Sequence, residues 1–446
     1  MDRKRGETRL ERPMRWLGLA VRAVVGTPAR AARGTARLVG DPTRQVVDYW
    51  GSERATMRQA LGALTVASTT ALLAGLTLAG MQHRIEAVQG LFVLIPVSIG
   101  MRGNIFGALA ARFGTAIHTG LFEASRRRDS EFFQNISAAT LLTIATSVTM
   151  AVLARAIAGL LGIATVSVWD FIVVALAGGL VSSAIVLAVT VYLSTTSSRR
   201  GWDLDSVGAP LITAIGDVVT LPCLFLASFL VGIRGVTPVV GALALLAGAL
   251  ALARGWTSNA RTTRRIVRES FPVLGFAIVL DVLAGSVVQP RIAEVFLPFP
   301  ALLVLIPGFL ENTGALGGIL SARLGSKLHL GAISASPRPD AVALLDGSII
   351  MVLGFILYSM TAGLTLGLSA VLGFAHPGIF RFIAIVMVGG FMATLLAAVI
   401  GYYGATTTYR FGLDPDNHTI PLVTSGMDLL GIICLVAAIQ LFGVVS

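Results

Sequence analysis

Eleven apolar runs, each long enough to cross a bilayer, most constrain what this 446-residue chain can fold into. They fall near residues 59–80, 88–112, 137–162, 169–195, 208–232, 236–253, 272–289, 297–325, 347–373, 379–403 and 419–444. A helix rises ~1.5 Å per residue, so about 20 residues cover a hydrocarbon core of about 30 Å. Inside lipid every backbone N–H and C=O must find its partner within the protein, which leaves helices and closed barrels. Continuous apolar runs, without the two-residue alternation of a barrel strand, select helices. The expected fold is all-α and polytopic, with about 11 transmembrane helices. Only 13% of residues are charged, against about 25% in soluble domains, too few to coat a soluble protein of this size. With two cysteines and no CxxC or Cys/His cluster, a disulfide scaffold and a thiolate metal site are excluded as well.

The net charge of +11 would suit nucleic acid, but its placement points elsewhere. Residues 1–58 hold 13 Lys/Arg against six Asp/Glu, as expected of a basic segment lying on anionic lipid headgroups at the cytoplasmic face. Met14 to Val25, interrupted by Arg15 and Arg22, reads either as an interfacial amphipathic helix or as a disordered basic tail. With the N-terminus placed inside, the inner loops collect Arg126, Arg127, Arg128, Arg199, Arg200, Arg254, Arg261, Arg264, Arg265, Arg268, Lys327, Arg338 and Arg410. The outer loops hold Arg84, Arg234 and Arg291. The positive-inside bias therefore predicts a multi-pass protein of the cell membrane with its N-terminus cytoplasmic and its C-terminus outside.

The chain also repeats itself at an offset of 211 residues. Leu94-Ile95-Pro96 returns as Leu305-Ile306-Pro307, and Gly103, Gly107, Arg112 and His118 return as Gly314, Gly318, Arg323 and His329. Of the 27 positions from Leu94 to Gly120, 11 are identical. Gly178-Gly179 returns as Gly389-Gly390, and Asp203, Asp205, Pro210, Thr213, Asp217 and Cys223 as Asp414, Asp416, Pro421, Thr424, Asp428 and Cys434. Leu73-Ala74-Gly75 resembles Leu283-Ala284-Gly285 at an offset of 210, one residue having been gained or lost before Leu94. Five spans per half would invert the second half; the unmatched run near 236–253 restores a parallel arrangement. The expected organisation is a basic segment (1–57), a first five-helix repeat (58–233), a linking helix and loop (234–267) and a second repeat (268–446). It reads as a homodimer fused into one chain, with a pore or substrate site between its halves.

Charges inside spans cost roughly 2.5–3.5 kcal/mol on insertion scales, so they mark function. Asp217 and Asp428 stand at one repeat position, about 12 Å into their helices and so near the midplane. Such a carboxylate pair suits Mg²⁺, which keeps its waters and needs few protein ligands. Thr213 and Thr424 lie one turn earlier. Asp205 and Asp416 precede the same helices, where capping and lining the cytoplasmic mouth are equal alternatives. Gly103 and Asn104, with Asn312 and Gly314, mark a second candidate stretch, where glycine serves either unwinding around an ion or close helix packing. Arg102 could hold an anionic partner or repel a second cation. Asp170 and Asp346 are expected to be interfacial helix caps, and Asp281 a second-line candidate for an ion or proton path.

The pattern Pro96 … Gly103-Asn104 … Ala111-Arg112, followed by Pro210 … Thr213 … Asp217, resembles the membrane domain of MgtE-type magnesium transporters. The doubled arrangement is similar to the fused two-repeat relatives, including the animal solute-carrier branch. The resemblance implies a five-helix repeat, a pore between two repeats, Mg²⁺ as the bound and transported ion, and Asp217 and Asp428 as its midmembrane ligands. It implies neither an enzyme nor an organic cofactor. Two departures stand out: residues 1–58 are too few for MgtE's cytosolic regulatory domains, and Ala315 replaces the second-half asparagine. Competing expectations are a proton-coupled carrier of organic solutes and an intramembrane aspartyl protease. The protease motif fails at Ala214 and at Met427, where glycine would be needed.

Overall fold

The computed structural model describes residues 42–120, 122–200, 204–233, 235–412 and 420–444. The segment Met14 to Val25 and the loop residues Asp414 and Asp416 lie outside these, as does the side chain of Asp205. The described residues are helical, with no strand among them. A short α1 (Pro42–Ser52) leads into α2 (Arg54–Gly80), and α3 (Gln82–Ala87) turns the chain toward α4 (Leu94–His118). Then come α5 (Glu131–Leu160), α6 (Val168–Arg200) and α7 (Leu204–Ser228). The linking helix α8 (Val236–Trp256) precedes α9 (Arg261–Val288), α10 (Pro300–His329), α11 (Ala341–Leu372), α12 (Ile379–Phe411) and α13 (Ile420–Leu441). Eleven of them, all but α1 and α3, are long and apolar enough to cross a membrane, matching the number of apolar runs.

The helices outrun their apolar runs where polar residues continue the helix beyond lipid. The run near 272–289 belongs to α9, which starts at Arg261, and the run near 379–403 to α12, which continues to Phe411. At the start of α9, Arg265 pairs with Glu269 at 3.9 Å and the Arg268 guanidinium lies over the Trp256 ring. Helix propensity and these local charge contacts carry the helix where hydropathy no longer marks it.

The packing explains the repeat at its front edge. The first helix of each half crosses to the other half: α2 packs against α10 and α11, and α9 against α4 and α5. Each also rests on the fifth helix of its own half, α2 on α7 and α9 on α13. Gly75 of α2 sits directly on the Val304 backbone, where a Cβ would overlap the carbonyl. Gly285 of α9 sits on Val93, where a Cβ would come within 2.8 Å of the backbone. Val93 and Val304 are themselves one repeat apart, so the Leu-Ala-Gly signature marks a crossover contact made twice. Between helices in lipid, close packing of small residues replaces the hydrophobic effect. Gly75→Val or Gly285→Val therefore forces α2 or α9 off its seat. We expect each change to cost about 1–3 kcal/mol, seen as a lower unfolding temperature of the detergent-purified protein.

The crossings are pinned on the side of the helix starts by polar bonds. Gln134 at the start of α5 accepts from the Thr262 amide, and its backbone carbonyl accepts from the Thr263 hydroxyl. On the other half, Trp50 donates to Ser348 at 3.0 Å, and Tyr49 donates to Asp346 Oδ1 at 2.7 Å. Asp346, expected as an interfacial cap, is instead a fully buried ionic centre six residues inside α11. Arg323 and Lys327 of α10 bind its two carboxylate oxygens at 2.6 Å each, and Glu53 binds Arg323 from the other side at 3.2 Å. Lys327 also donates to the Tyr49 hydroxyl at 2.7 Å. Burial, and then the bond to Asp346, push the Tyr49 phenol above its ordinary range. Asp170 does sit in the first turn of α6, sharing bonds with Ser167 and accepting from the Gly232 amide.

Candidate ion-binding site

The fifth helices α7 and α13 each pack against the second and fourth helix of their own half. Glycines set both contacts. Gly178 faces the Cys223 carbonyl and Leu224, and Gly389 faces the Cys434 carbonyl and Leu435, with Cβ distances of 3.1–3.4 Å. Gly103 and Gly314 face Thr213 and Thr424 in the same paired way, at 3.3 Å and 3.7 Å from a would-be Cβ. The Gly–Thr candidates are thus brought together within each half, as packing partners one turn before the aspartates.

Asp217 is buried at 4% exposure, while Asp428 is half-buried. Each lies in the electrostatic field of further carboxylates. Glu311 and Asp428 act on Asp217, and Asp281 and Glu311 act on Asp428. Four carboxylates from α7, α9, α10 and α13 thus lie within one another's electrostatic influence, Asp217 and Asp281 buried and Glu311 and Asp428 half-buried. None of them has a Lys or Arg ion-pair partner among the described residues. Nor do three His, Cys, Asp or Glu side chains stand close enough together, among the described residues, to hold one metal ion directly. An ion here would meet the group through its own water shell, the habit of Mg²⁺.

Sequence reasoning gave Asp281 second rank and passed over Glu311, because neither charge has a match in the other half. Across the repeat, Glu311 corresponds to Gly100 and Asp281 to Ala71. Asp281 lies against Gly100: a Cβ at that glycine would fall 2.6 Å from the Asp281 Oδ2. One α9–α4 contact thus carries its carboxylate on the first helix, and the equivalent α2–α10 pair carries it on the second. A bare count of charges inside apolar runs would have found both residues.

Asn312 is committed elsewhere. It accepts from Ser68 of α2 and donates to Thr361 of α11 at 2.9 Å, so it ties three helices together with its side chain fully buried. Asn104 differs: its amide nitrogen is buried without a partner, beside a small pocket lined also by Arg112, Ser270, Leu274 and Pro421. Arg102 forms no ion pair with these carboxylates. It donates to the Ser182 hydroxyl at 3.3 Å and the Ser98 carbonyl at 3.0 Å, in the space left by Gly179. The same space in the second half, left by Gly390, is filled by the Tyr358 ring. Tyr358 bonds Thr313, the counterpart of Arg102, at 2.8 Å. The large side chain stands on α4 in one half and on α11 in the other.

The doubled arrangement of the fifth-helix aspartates is matched by the comparison with protein families. A divalent cation transporter family, MgtE, matches this chain twice, over residues 95–227 and 306–438, again 211 residues apart. The chain belongs to the MgtE family. MgtE family members are transporters and not enzymes, and with eleven apolar helices the chain is a multi-pass membrane protein. Among curated proteins, solute carrier family 41 member 3 of Rattus norvegicus is 25% identical over 402 residues, covering 81% of both chains. Solute carrier family 41 member 2 of Xenopus laevis is 21% identical over 421 residues, covering 84% of this chain and 69% of the relative. Member 2 of Homo sapiens is 22% identical over 401 residues. No solved structure matches.

Proposed function

We propose that this MgtE-family chain carries divalent cations, Mg²⁺ foremost, along a path between its two halves. Asp217 and Asp428 bind the ion near the middle of the membrane. The observation that carries this reading is the gathering of carboxylates, the matched Asp217 and Asp428 among them, with no Lys or Arg ion pair to balance them among the described residues. Uncompensated carboxylates in a low-dielectric interior repel one another and demand a cation or protons. A divalent ion that keeps part of its water shell neutralises two carboxylates at once and reaches them without direct ligation. Thr213 and Thr424, one turn before the aspartates, add hydroxyl oxygens on the same helices.

Purified protein in liposomes, loaded with a Mg²⁺ indicator, tests the reading. We expect saturable Mg²⁺ entry down its own gradient without any pH gradient. Uptake of an organic solute driven by a pH gradient and indifferent to Mg²⁺ would replace this reading with the carrier alternative.

Parallel halves and an inward N-terminus belong to the same proposal. Ser198 and Tyr409 are exposed, stand 211 residues apart at the ends of α6 and α12, and should face the same, cytoplasmic, side. Both native cysteines are buried, so the background for labelling is low. We expect Ser198→Cys and Tyr409→Cys to react with an impermeant maleimide only from the cytoplasmic side. Reaction from opposite sides would mean inverted halves.

A further inference from the structure

The two halves are not equal around the aspartates. Asp281 of α9 is 0% exposed, and neither of its carboxylate oxygens has a hydrogen-bond donor. Ser425 of α13 stands beside it as a buried hydroxyl donor within reach of the carboxylate, although the two do not meet at hydrogen-bond geometry. Ser425 and Asp428 are three residues apart on one helix, hence on one face, and Asp281 acts electrostatically on Asp428. The face of α13 that bears Ser425 and Asp428 thus meets α9, where the Asp281 carboxylate is buried with no donor at hydrogen-bond geometry. At the equivalent place in the first half, Asp281 is replaced by Ala71 and Ser425 by Ala214, and the carboxylate comes instead from Glu311 on the facing helix α10. Buried polar groups are ordinarily satisfied, and a carboxylate left bare in the interior is costly enough to require an explanation.

We propose that Asp281, Ser425 and Asp428 form a second binding position for the transported divalent cation, displaced toward the second half, with Asp428 shared between the two positions. The inference rests on the reading of Asp217 and Asp428 as ion ligands and extends it to two ions. The donors are all oxygen, two of them anionic, which selects a hard cation over a soft one. Charge balance supports the count. With Asp217, Asp281, Glu311 and Asp428 all ionised, one divalent ion balances half of their charge and two balance all of it. Arg102 pairs with none of the four: its guanidinium is bonded to neutral oxygens, the Ser182 hydroxyl of α6 and the Ser98 carbonyl of its own helix α4. Two positions sharing one ligand also favour release, since an ion entering one weakens the hold on the other.

The test is Mg²⁺ titration calorimetry on the full-length protein in detergent, with Mn²⁺ spin resonance as a second readout. The parent should bind two ions per chain at the site, and paired Mn²⁺ ions should broaden each other's signal. The double variant D281A/S425A gives the second half the alanines that the first half already carries. It should bind one ion and lose the Mn²⁺–Mn²⁺ broadening. Should that variant elute as aggregate, D281N keeps the shape, removes the charge and should give the same loss of one ion. A parent that binds one ion, lost in D217N and kept in D281A/S425A, overturns the second position and leaves the paired-aspartate reading standing. Binding unchanged in D217N, D428N and D281A/S425A alike overturns both.

Discussion

Asp217→Asn or Asp428→Asn should each lower Mg²⁺ flux in liposomes by at least about tenfold, with Mg²⁺ affinity falling in parallel. Asparagine keeps the shape of aspartate and removes one negative charge. At an effective dielectric constant of about 20, a double and a single charge about 5 Å apart interact by roughly 7 kcal/mol. Desolvation cancels most of that, but one fifth of it surviving is already about 1.4 kcal/mol, a factor of ten. The double variant should add little beyond either single one, because carboxylates that share a cation act as a unit. Both singles conducting and binding like the parent would make the aspartates structural. Stability should move the other way: removing a charge that no side chain balances relieves repulsion, so either variant should unfold no earlier than the parent in Mg²⁺-free detergent.

Asp346→Ala should have the largest effect on stability, roughly 3–5 kcal/mol, because it strips Arg323 and Lys327 of their common counter-ion inside the protein. It also leaves the Tyr49 hydroxyl without its acceptor and loosens α1 from α11. Thermal unfolding in detergent measures the loss. Asp346→Asn is the informative companion. In the first half the same position is Asn135, which accepts from Arg112 at 2.9 Å without a formal charge. The asparagine variant should therefore lose clearly less than the alanine variant. Equal losses would mean that charge, and not the bond, holds this corner.

These two sites show what the sequence could and could not reveal. The spans were legible because lipid demands unbroken apolar length, and the helix ends were less so because polar residues such as those from Arg261 to Phe271 extend a helix without extending hydropathy. Asp217 and Asp428 stood out as candidates because the repeat pairs them. Asp281 and Glu311 lack that pairing, and only the crossing of α9 against α4 and the register of α10 bring them to the same place. Asp346 was misjudged for a similar reason. Its partners lie 19 and 23 residues away on α10 and 297 residues away at Tyr49, separations no local pattern encodes. Asn312 was judged by its neighbourhood to glycine, whereas its bonds run to Ser68 and Thr361 on two other helices.

The exchange of Arg102 for Thr313, and of Ser147 beside Gly179 for its second-half counterpart Tyr358, has a consequence for how such a molecule can change over generations. In a dimer of identical subunits, every substitution is made twice and faces itself across the axis. An arginine introduced once would appear as two, and an added acid near the axis as two mutually repelling acids. A chain holding both halves is free of that constraint. It can fill one void from α4 and its twin from α11, or set an aspartate at position 281 opposite an alanine at position 71. Along the proposed ion route, single-copy charges of this kind supply a polarity that a perfectly symmetric pair lacks, so exchanging residues between the halves, one pair at a time, would show which inequalities govern the direction of passage.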